Sequence, residues 1–197
     1  VFCPAGFMSS DRWKGIKVGA GTHTKTFHDQ LRRGEIGPDD WIELEGHMSR
    51  SPGTCNTMGT ASTMTTLADA MGLTLTGASS IPAMDARHAR MAARTGALAV
   101  EMVQHDRRPS RLLTQASIHN ALVVYMALGG STNAAIHLIA MARRAGLQLD
   151  LDAMDAVARE TPVLVNLFPT GNHLMEDFHF AGGLPALLAV LRDRLML

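Results

Sequence analysis

Residues 46–72, GHMSRSPGTCNTMGTASTMTTLADAMG, change character part-way along, and that change sets the reading of the whole chain. From Gly46 to Asn56, residues Ser49, Ser51, Pro52, Gly53 and Thr54 disfavour regular structure, since Gly and Pro interrupt a repeating backbone and hydroxyl side chains compete for its polar groups. From Thr57 onward, Met58, Ala61, Met64, Leu67, Ala68 and Met71 recur at helical steps, and Gly72 stands where a C-terminal cap belongs. Cys55 is therefore expected on a loop that feeds a helix N-terminus. There the positive end of the helix dipole and free N–H groups would favour thiolate over thiol, so the sulfur could serve as nucleophile or metal ligand. Gly53 and Gly59 would let the backbone approach a bulky inorganic group, and nearby Ser, Thr and Asn could hydrogen-bond it or a substrate oxygen. Local composition alone favours the blander alternative, a small thiol inert in packing.

Working outward, Val1 to Phe7 reads as the end of a buried strand and Ser9 to Thr26 as loop and short strand. Asp39, after Gly37-Pro38, is a candidate N-cap for a helix through about Glu45. Further helices are expected over about Asp85–His105, Thr114–Leu128, Thr132–Arg144, Leu151–Glu160 and Leu184–Leu195, with Thr114, Ser131 or Thr132, and Asp150 as caps. Pro162-Val-Leu-Val-Asn-Leu167 is the clearest strand, and its alternation with helices points to an α/β layer. No repeat or low-complexity tract is visible, so one domain, or part of one, is the simplest organisation.

The chain has 197 residues, 46% hydrophobic and 18% charged, as a globular protein should. Eighteen basic and eighteen acidic residues cancel, which gives no field to draw nucleic acid or an anionic membrane. No apolar run approaches the roughly 20 residues of a membrane span, and the start lacks the features of a secretory signal. With only two cysteines, Cys3 and Cys55, reduced thiols and a cytoplasmic setting are expected. Thirteen methionines and 5% aromatic residues favour packed helices. The apolar start and the closing LRDRLML suggest truncation at both ends.

Three blocks in order, SRSPGTCNTMGTASTM, ALGGSTNAAIHLIAMARRAG and NLFPTGNHLMEDFHFAGGLPALL, resemble the dihydroxy-acid and sugar-acid dehydratases, including the phosphogluconate dehydratases. The similarity runs through essentially the whole chain, and SPGTC before NTMGTASTM looks most like the arabinonate and xylonate branch. The resemblance implies an α/β, helix-rich, partial N-terminal domain over residues 1–197, with a parallel sheet flanked by helices. Cys55 matches a ligand of the family's iron–sulfur cluster, of the two-iron two-sulfur type in the sugar-acid branch. The implied reaction removes the proton beside the carboxylate, expels a hydroxyl as water and yields an enol that becomes a 2-keto acid. A neighbouring Mg2+ would stabilise the growing oxygen charge.

A cluster needs roughly four ligands, mostly thiolates, and only Cys55 lies in a matching motif. Cys3 falls where the family has a Ser-Gly-Gly-Pro-like turn and is not assigned. The remaining cluster cysteines, the Mg2+ ligands and the base are expected outside residues 1–197, so this polypeptide alone is expected to be inactive. The substrate would be a small sugar acid, an aldonate giving a 2-keto-3-deoxy acid. Branched-chain dihydroxy-acid dehydratase, phosphogluconate dehydratase and a non-catalytic helical binding module are the alternatives. The family's habit implies a homo-oligomer.

Other candidates are weaker. Ser51 and Thr54 on the loop, and Ser131, Thr132 and Asn133 in Gly129-Gly-Ser-Thr-Asn133, could bind a substrate anion, although a capped turn explains the latter group as well. His137, flanked by Ile136, Leu138 and Ile139, reads as a core or interface histidine. His23 and His28 lack a carboxylate at ligand spacing. His173, Glu176, Asp177 and His179 could be imagined on zinc, but the spacing fits a solvated helix face better. Lys14, Lys17 and Lys25 among glycines lack the ending of a phosphate loop. Arg87, His88, Arg90 and Arg94 are expected on the exposed side of a helix whose Ala and Met face inward.

Overall fold

The computed structural model describes residues 1–21 and 23–197. Among them lie two strands, β1 (Asp11–Trp13) and β2 (Ile16–Val18), and ten helices: α1 (Thr24–Arg32), α2 (Pro38–Met48), α3 (Thr60–Ala70), α4 (Ala86–Gln104), α5 (Pro109–Leu112), α6 (Gln115–Leu128), α7 (Asn133–Arg144), α8 (Leu151–Glu160), α9 (Met175–Phe180) and α10 (Gly183–Leu191). Short 3-10 turns occupy Ala78–Ser80 and Arg192–Arg194.

The main core forms around α6, which buries Ile118, Leu122, Val124 and Leu128 and whose ALVVYMAL run is apolar on every side. A helix apolar all round is stable only when other elements surround it. Here α3, α8 and α10 do so, with Leu67, Met71, Met154, Leu184 and Leu191 filling the space between. The Thr114 hydroxyl accepts from Ser117 N–H at 3.1 Å and Gly129 closes the other end in a left-handed conformation, as the sequence signals require.

A second, smaller core lies apart from the first. Trp13, Val18, Phe27, Leu44 and Met48 bury one another, with Ile36 and Trp41 at the margin. It unites β1, β2, α1 and α2, and the Trp13 and Phe27 rings meet edge-on at 5.1 Å.

Several expectations need correction. The sheet is not parallel and is not flanked by helices: β1 and β2 pair antiparallel as one small hairpin. Pro162–Leu167 is no strand beyond the single bridge from Leu167 to His173. The N–H groups of Leu164 and Val165 both reach the Ala127 carbonyl, at 2.9 and 3.2 Å, so the segment docks on the end of α6. Val1–Phe7 contributes only the single parallel bridge from Phe7 to Thr54, and Val1 and Phe2 are exposed. The stretch Ser9–Thr26, read as loop and strand, also contains the start of α1; Thr22 within it lies outside the described residues. The N-cap of α2 is Gly37, not Asp39. Pro38 takes the first helical position and the Asp40 carboxylate accepts from Gly37 N–H at 3.1 Å, because Pro lacks the donor that would otherwise be orphaned there. Gly46–Met48 still belongs to α2, and α3 begins at Thr60, later than Thr57. On α4 only Met91 and Thr95 are buried; Arg87, Arg90 and Arg94 are exposed as expected, but so are Ala92, Ala93 and Ala97. No helix among the described residues is long and apolar enough to cross a membrane.

Candidate functional site around Cys55

Cys55 follows the bridge that joins Thr54 to Phe7. Met8 N–H donates to the Thr54 carbonyl at 2.9 Å and Thr54 N–H to the Gly6 carbonyl at 2.9 Å. Gly53 makes this pairing possible: with φ at 133°, a Cβ there would lie 2.4 Å from Met8 N, so the close approach is to backbone and not to an inorganic group. At Gly59 a Cβ would meet only the Thr57 hydroxyl, at 3.5 Å.

The sulfur is half-buried. It stands 2.9 Å from the Ala20 carbonyl and 3.1 Å from the Thr57 hydroxyl. An S–H donates to the carbonyl in this arrangement, and the hydroxyl can donate to the sulfur. Cys55 is not in the first turn of α3, whose N-cap is Gly59; what places it is the loop and the Ala20 turn, rather than the helix dipole. Its carbonyl accepts from Ser62 on α3 at 3.3 Å. Asn56, next in the chain, is fully buried: its Nδ2 donates to the Ser9 carbonyl at 3.4 Å, its own carbonyl accepts from Met175 N–H at 2.9 Å, and its Oδ1 has no partner.

A second polar group lies at the same end of α3. Thr60 Oγ1 is 3.1 Å from Ser131 Oγ and accepts from Asn133 Nδ2 at 2.9 Å, while Ser131 N–H donates to Thr63 at 3.1 Å. The Tyr125 hydroxyl, pushed up by burial, donates to the Ser131 carbonyl at 2.9 Å. Ser131 and Asn133 are thus brought together, on Thr60. Thr132 is exposed and makes no side-chain cap bond. Ser51 Oγ accepts from Ser9 N–H at 2.9 Å and Thr54 Oγ1 donates to Gly6 at 3.3 Å, so both hydroxyls fasten the Cys55 loop.

The acidic pair on α9 does not form the solvated face that its spacing predicts. Ser10 donates to Glu176, and Lys17 pairs with Asp177 at 2.6 Å. Burial alone would raise the Asp177 carboxyl, but the Lys17 ammonium and the Leu174 N–H outweigh it and hold it below its ordinary value. His179, lowered by burial and by the Arg87 charge, has an Nε2 with no partner. Among the described residues no group of three or more His, Cys, Asp or Glu could surround a metal ion, so zinc is not supported here. His23, lowered by burial, meets the Phe168 ring at a tilt of 58° with centroids 5.1 Å apart. His137 is exposed on α7, hence not a core residue. Cys3 is exposed and away from this site, with Met91 its sulfur neighbour at 3.9 Å.

Thr57, Thr60 and the Ala20 carbonyl were not singled out in the sequence. Thr57 and Thr60 carried a signal, being hydroxyls within five residues of Cys55. Ala20 carried none, because a backbone carbonyl 35 residues away has no side-chain signature.

A family model described as dihydroxy-acid/6-phosphogluconate dehydratase, N-terminal, matches residues 1–197. The chain is 60% identical over 197 residues to a 6-deoxy-6-sulfo-D-gluconate dehydratase of Pseudomonas putida, a match covering 100% of this chain and 34% of the relative. It is 46% identical over 193 residues to an L-arabinonate dehydratase of Rhizobium leguminosarum bv. trifolii, covering 98% and 33%. To a D-xylonate dehydratase of Caulobacter vibrioides it is 43% identical over 171 residues, covering 87% and 29%. The chain therefore spans about a third of the length of the curated relatives it matches.

Proposed function

Because the chain belongs to the dihydroxy-acid/6-phosphogluconate dehydratase N-terminal family, we propose that it gives Cys55 and part of a sugar-acid pocket to an iron–sulfur hydro-lyase. The carrying observation is where the sulfur lies: half-buried at the edge of the main core, against a carbonyl and a hydroxyl, and not deep among aliphatic side chains. Of these neighbours the Thr57 hydroxyl can donate to a thiolate ligand and tune its basicity, whereas the Ala20 carbonyl accepts only from the thiol.

One cysteine fits one place in a ligand set. The other thiolates, the Mg2+ ligands and the base are proposed to come from parts of a longer polypeptide, so the chain by itself is proposed to be inactive. When bound, a cluster iron with an open position would supply a Lewis acid that lowers the cost of hydroxide departure. The residues of this chain do the positioning. Thr57 orients the sulfur, Ser51 and Thr54 fix the loop at the pocket wall, and the exposed Thr132 hydroxyl would meet a substrate carboxylate beside Ser131 and Asn133, which would exchange their bonds to Thr60 for it.

The proposed substrate is an aldonate. It loses the proton beside the carboxylate and the neighbouring hydroxyl as one water, and the resulting enol becomes a 2-keto-3-deoxy acid. The names of the relatives support this class, since they act on sulfogluconate, arabinonate and xylonate. A homo-oligomer working in the cytoplasm completes the proposal.

Anaerobic reconstitution with iron and sulfide tests it. A polypeptide that carries this chain at full family length should gain visible charge-transfer absorption, and Cys55→Ser should lose most of it. A colourless wild type would turn the reading toward a non-catalytic helical module. Assays with sulfogluconate, arabinonate, xylonate, phosphogluconate and dihydroxyisovalerate would then select the substrate.

A further inference from the structure

The hairpin and first two helices form a unit with its own apolar centre, made of Trp13, Val18, Phe27, Leu44 and Met48. Its two connections to the rest of the molecule run side by side. Ser9 N–H donates to Ser51 Oγ at 2.9 Å, and Met8 N–H to the Thr54 carbonyl at 2.9 Å. Paired entry and exit strands are the layout of a hinge.

The face this unit turns toward α9 and the Cys55 loop is held mainly by polar contacts. Ser10 meets Glu176, Lys17 meets Asp177 at 2.6 Å, and the Ala20 carbonyl covers the Cys55 sulfur at 2.9 Å. One ring contact, His23 on Phe168, adds to these. Lys17 and Asp177 are partly exposed, at 28% and 36%, so water can replace their contact at small cost. Separating two apolar cores would be expensive; parting a polar seam between them is not.

We infer that residues 11–48 form a hinged cover over Cys55, with Lys17–Asp177 as its catch and Ser10–Glu176 anchoring the hinge side. Opening swings the Ala20 carbonyl off the sulfur and gives cofactor or solutes access to it. This goes beyond the assignment of Cys55 as a cluster ligand, and its test is run on protein freed of iron by a chelator, so that it reads the cover and not the cluster.

The test is the rate at which N-ethylmaleimide labels Cys55, followed on its own peptide by mass spectrometry at fixed pH. Lys17→Met should raise the rate roughly two- to fivefold, the range over which an ion pair of this exposure shifts a local equilibrium. Losing a nearby cation would by itself slow attack by a thiolate, so an increase reports opening. In the wild type, raising salt to about 1 M, where charges beyond ~3 Å are screened, should also speed labelling. Amide exchange in the variant should quicken within residues 11–48 and stay unchanged in α6. Labelling that ignores both Lys17→Met and salt would overturn the cover, as would exchange that quickens equally in α6, the mark of general unfolding.

Discussion

Gly19 is small because Asn56 leaves no room beside it. A Cβ at Gly19 would stand 2.3 Å from Asn56 Oδ1 and 2.9 Å from its Cγ, and Asn56, fully buried and anchored through its carbonyl to Met175, has little freedom to withdraw. Gly19→Ala should therefore cost about 1–3 kcal/mol of stability, the usual range for overpacking, read by urea denaturation. Asn56→Ser in the same chain should recover part of that loss, since removing the amide clears the clash; no recovery would show that the strain lies elsewhere. At Thr57 the change is gentler. Thr57→Val keeps the shape, removes the hydroxyl 3.1 Å from the Cys55 sulfur, and should cost only about 1 kcal/mol in the same measurement. A larger loss would mean that the hydroxyl holds more than the sulfur. Asn56 sits within the Cys55 motif, yet its role is not legible there, because the backbone it packs against, at Gly19, comes from the segment after β2.

Among the elements, α3 does the most joining, and Asp69 near its end shows how. The buried carboxylate accepts from Ser79 Oγ at 2.7 Å, Ser79 N–H at 3.0 Å and Gly77 N–H at 3.2 Å. These bonds hold the turn at Ala78–Ser80, whose Ser80 hydroxyl accepts from Leu184 N–H at 3.1 Å and so seats α10. Asp69→Ala strands two buried donors and one part-buried one and should cost about 3 kcal/mol in thermal or chemical unfolding. Burial raises the Asp69 carboxyl above its ordinary 3.8, against the pull of Ser79 and Gly77. A raised acid binds its proton more tightly when folded, so its contribution is fully present below pH 3.8 and is lost as pH rises through the higher folded value. Asp69→Asn carries no such dependence. The stability of wild type relative to Asp69→Asn should therefore fall as pH rises across that window, and a constant difference would refute the assignment. Two side-chain caps are legible in the sequence: Thr114 and Asp150 cap α6 and α8 in the structure as well; Asp85, which the sequence marks only as the approximate start of a helix, caps α4. Helix α1 is not legible, because TKTFHDQLR buries only Phe27 and shows no apolar stripe. The run Pro162–Leu167 misled for the opposite reason: a short apolar stretch is consistent with a strand, but its N–H groups found a helix end before they found a neighbour strand.

For the molecule as a whole, periodicity revealed most of the helices and the family blocks pointed to Cys55, but nothing in the sequence announced two cores. The separation depends on which apolar residues meet across long distances, such as Trp13 with Phe27 and Leu44, and composition is silent on that. It has an observable consequence, since the only two tryptophans, Trp13 and Trp41, both belong to the smaller core. Tryptophan fluorescence thus reports residues 11–48, whereas far-UV circular dichroism is dominated by the helices around α6. Acid should separate the two signals. The Asp11 carboxyl is held low by the Arg12 N–H, with His47 and Arg50 against the opposing effect of burial, and Asp177 is held low by Lys17 and Leu174 once burial is outweighed. Depressed carboxyls contribute stability that is present above the unfolded value of 3.8 and lost as pH falls through the folded one. Both groups serve the smaller core or its seam, while the buried Asp69 of the larger core responds with the opposite sign. On acidification the fluorescence should shift to the red before helicity is lost, a failure of the coincidence that two-state unfolding requires. Lys17→Met should move the fluorescence midpoint toward neutral pH and leave the helicity midpoint in place. Coincident transitions in both proteins would mean that the two cores unfold as one.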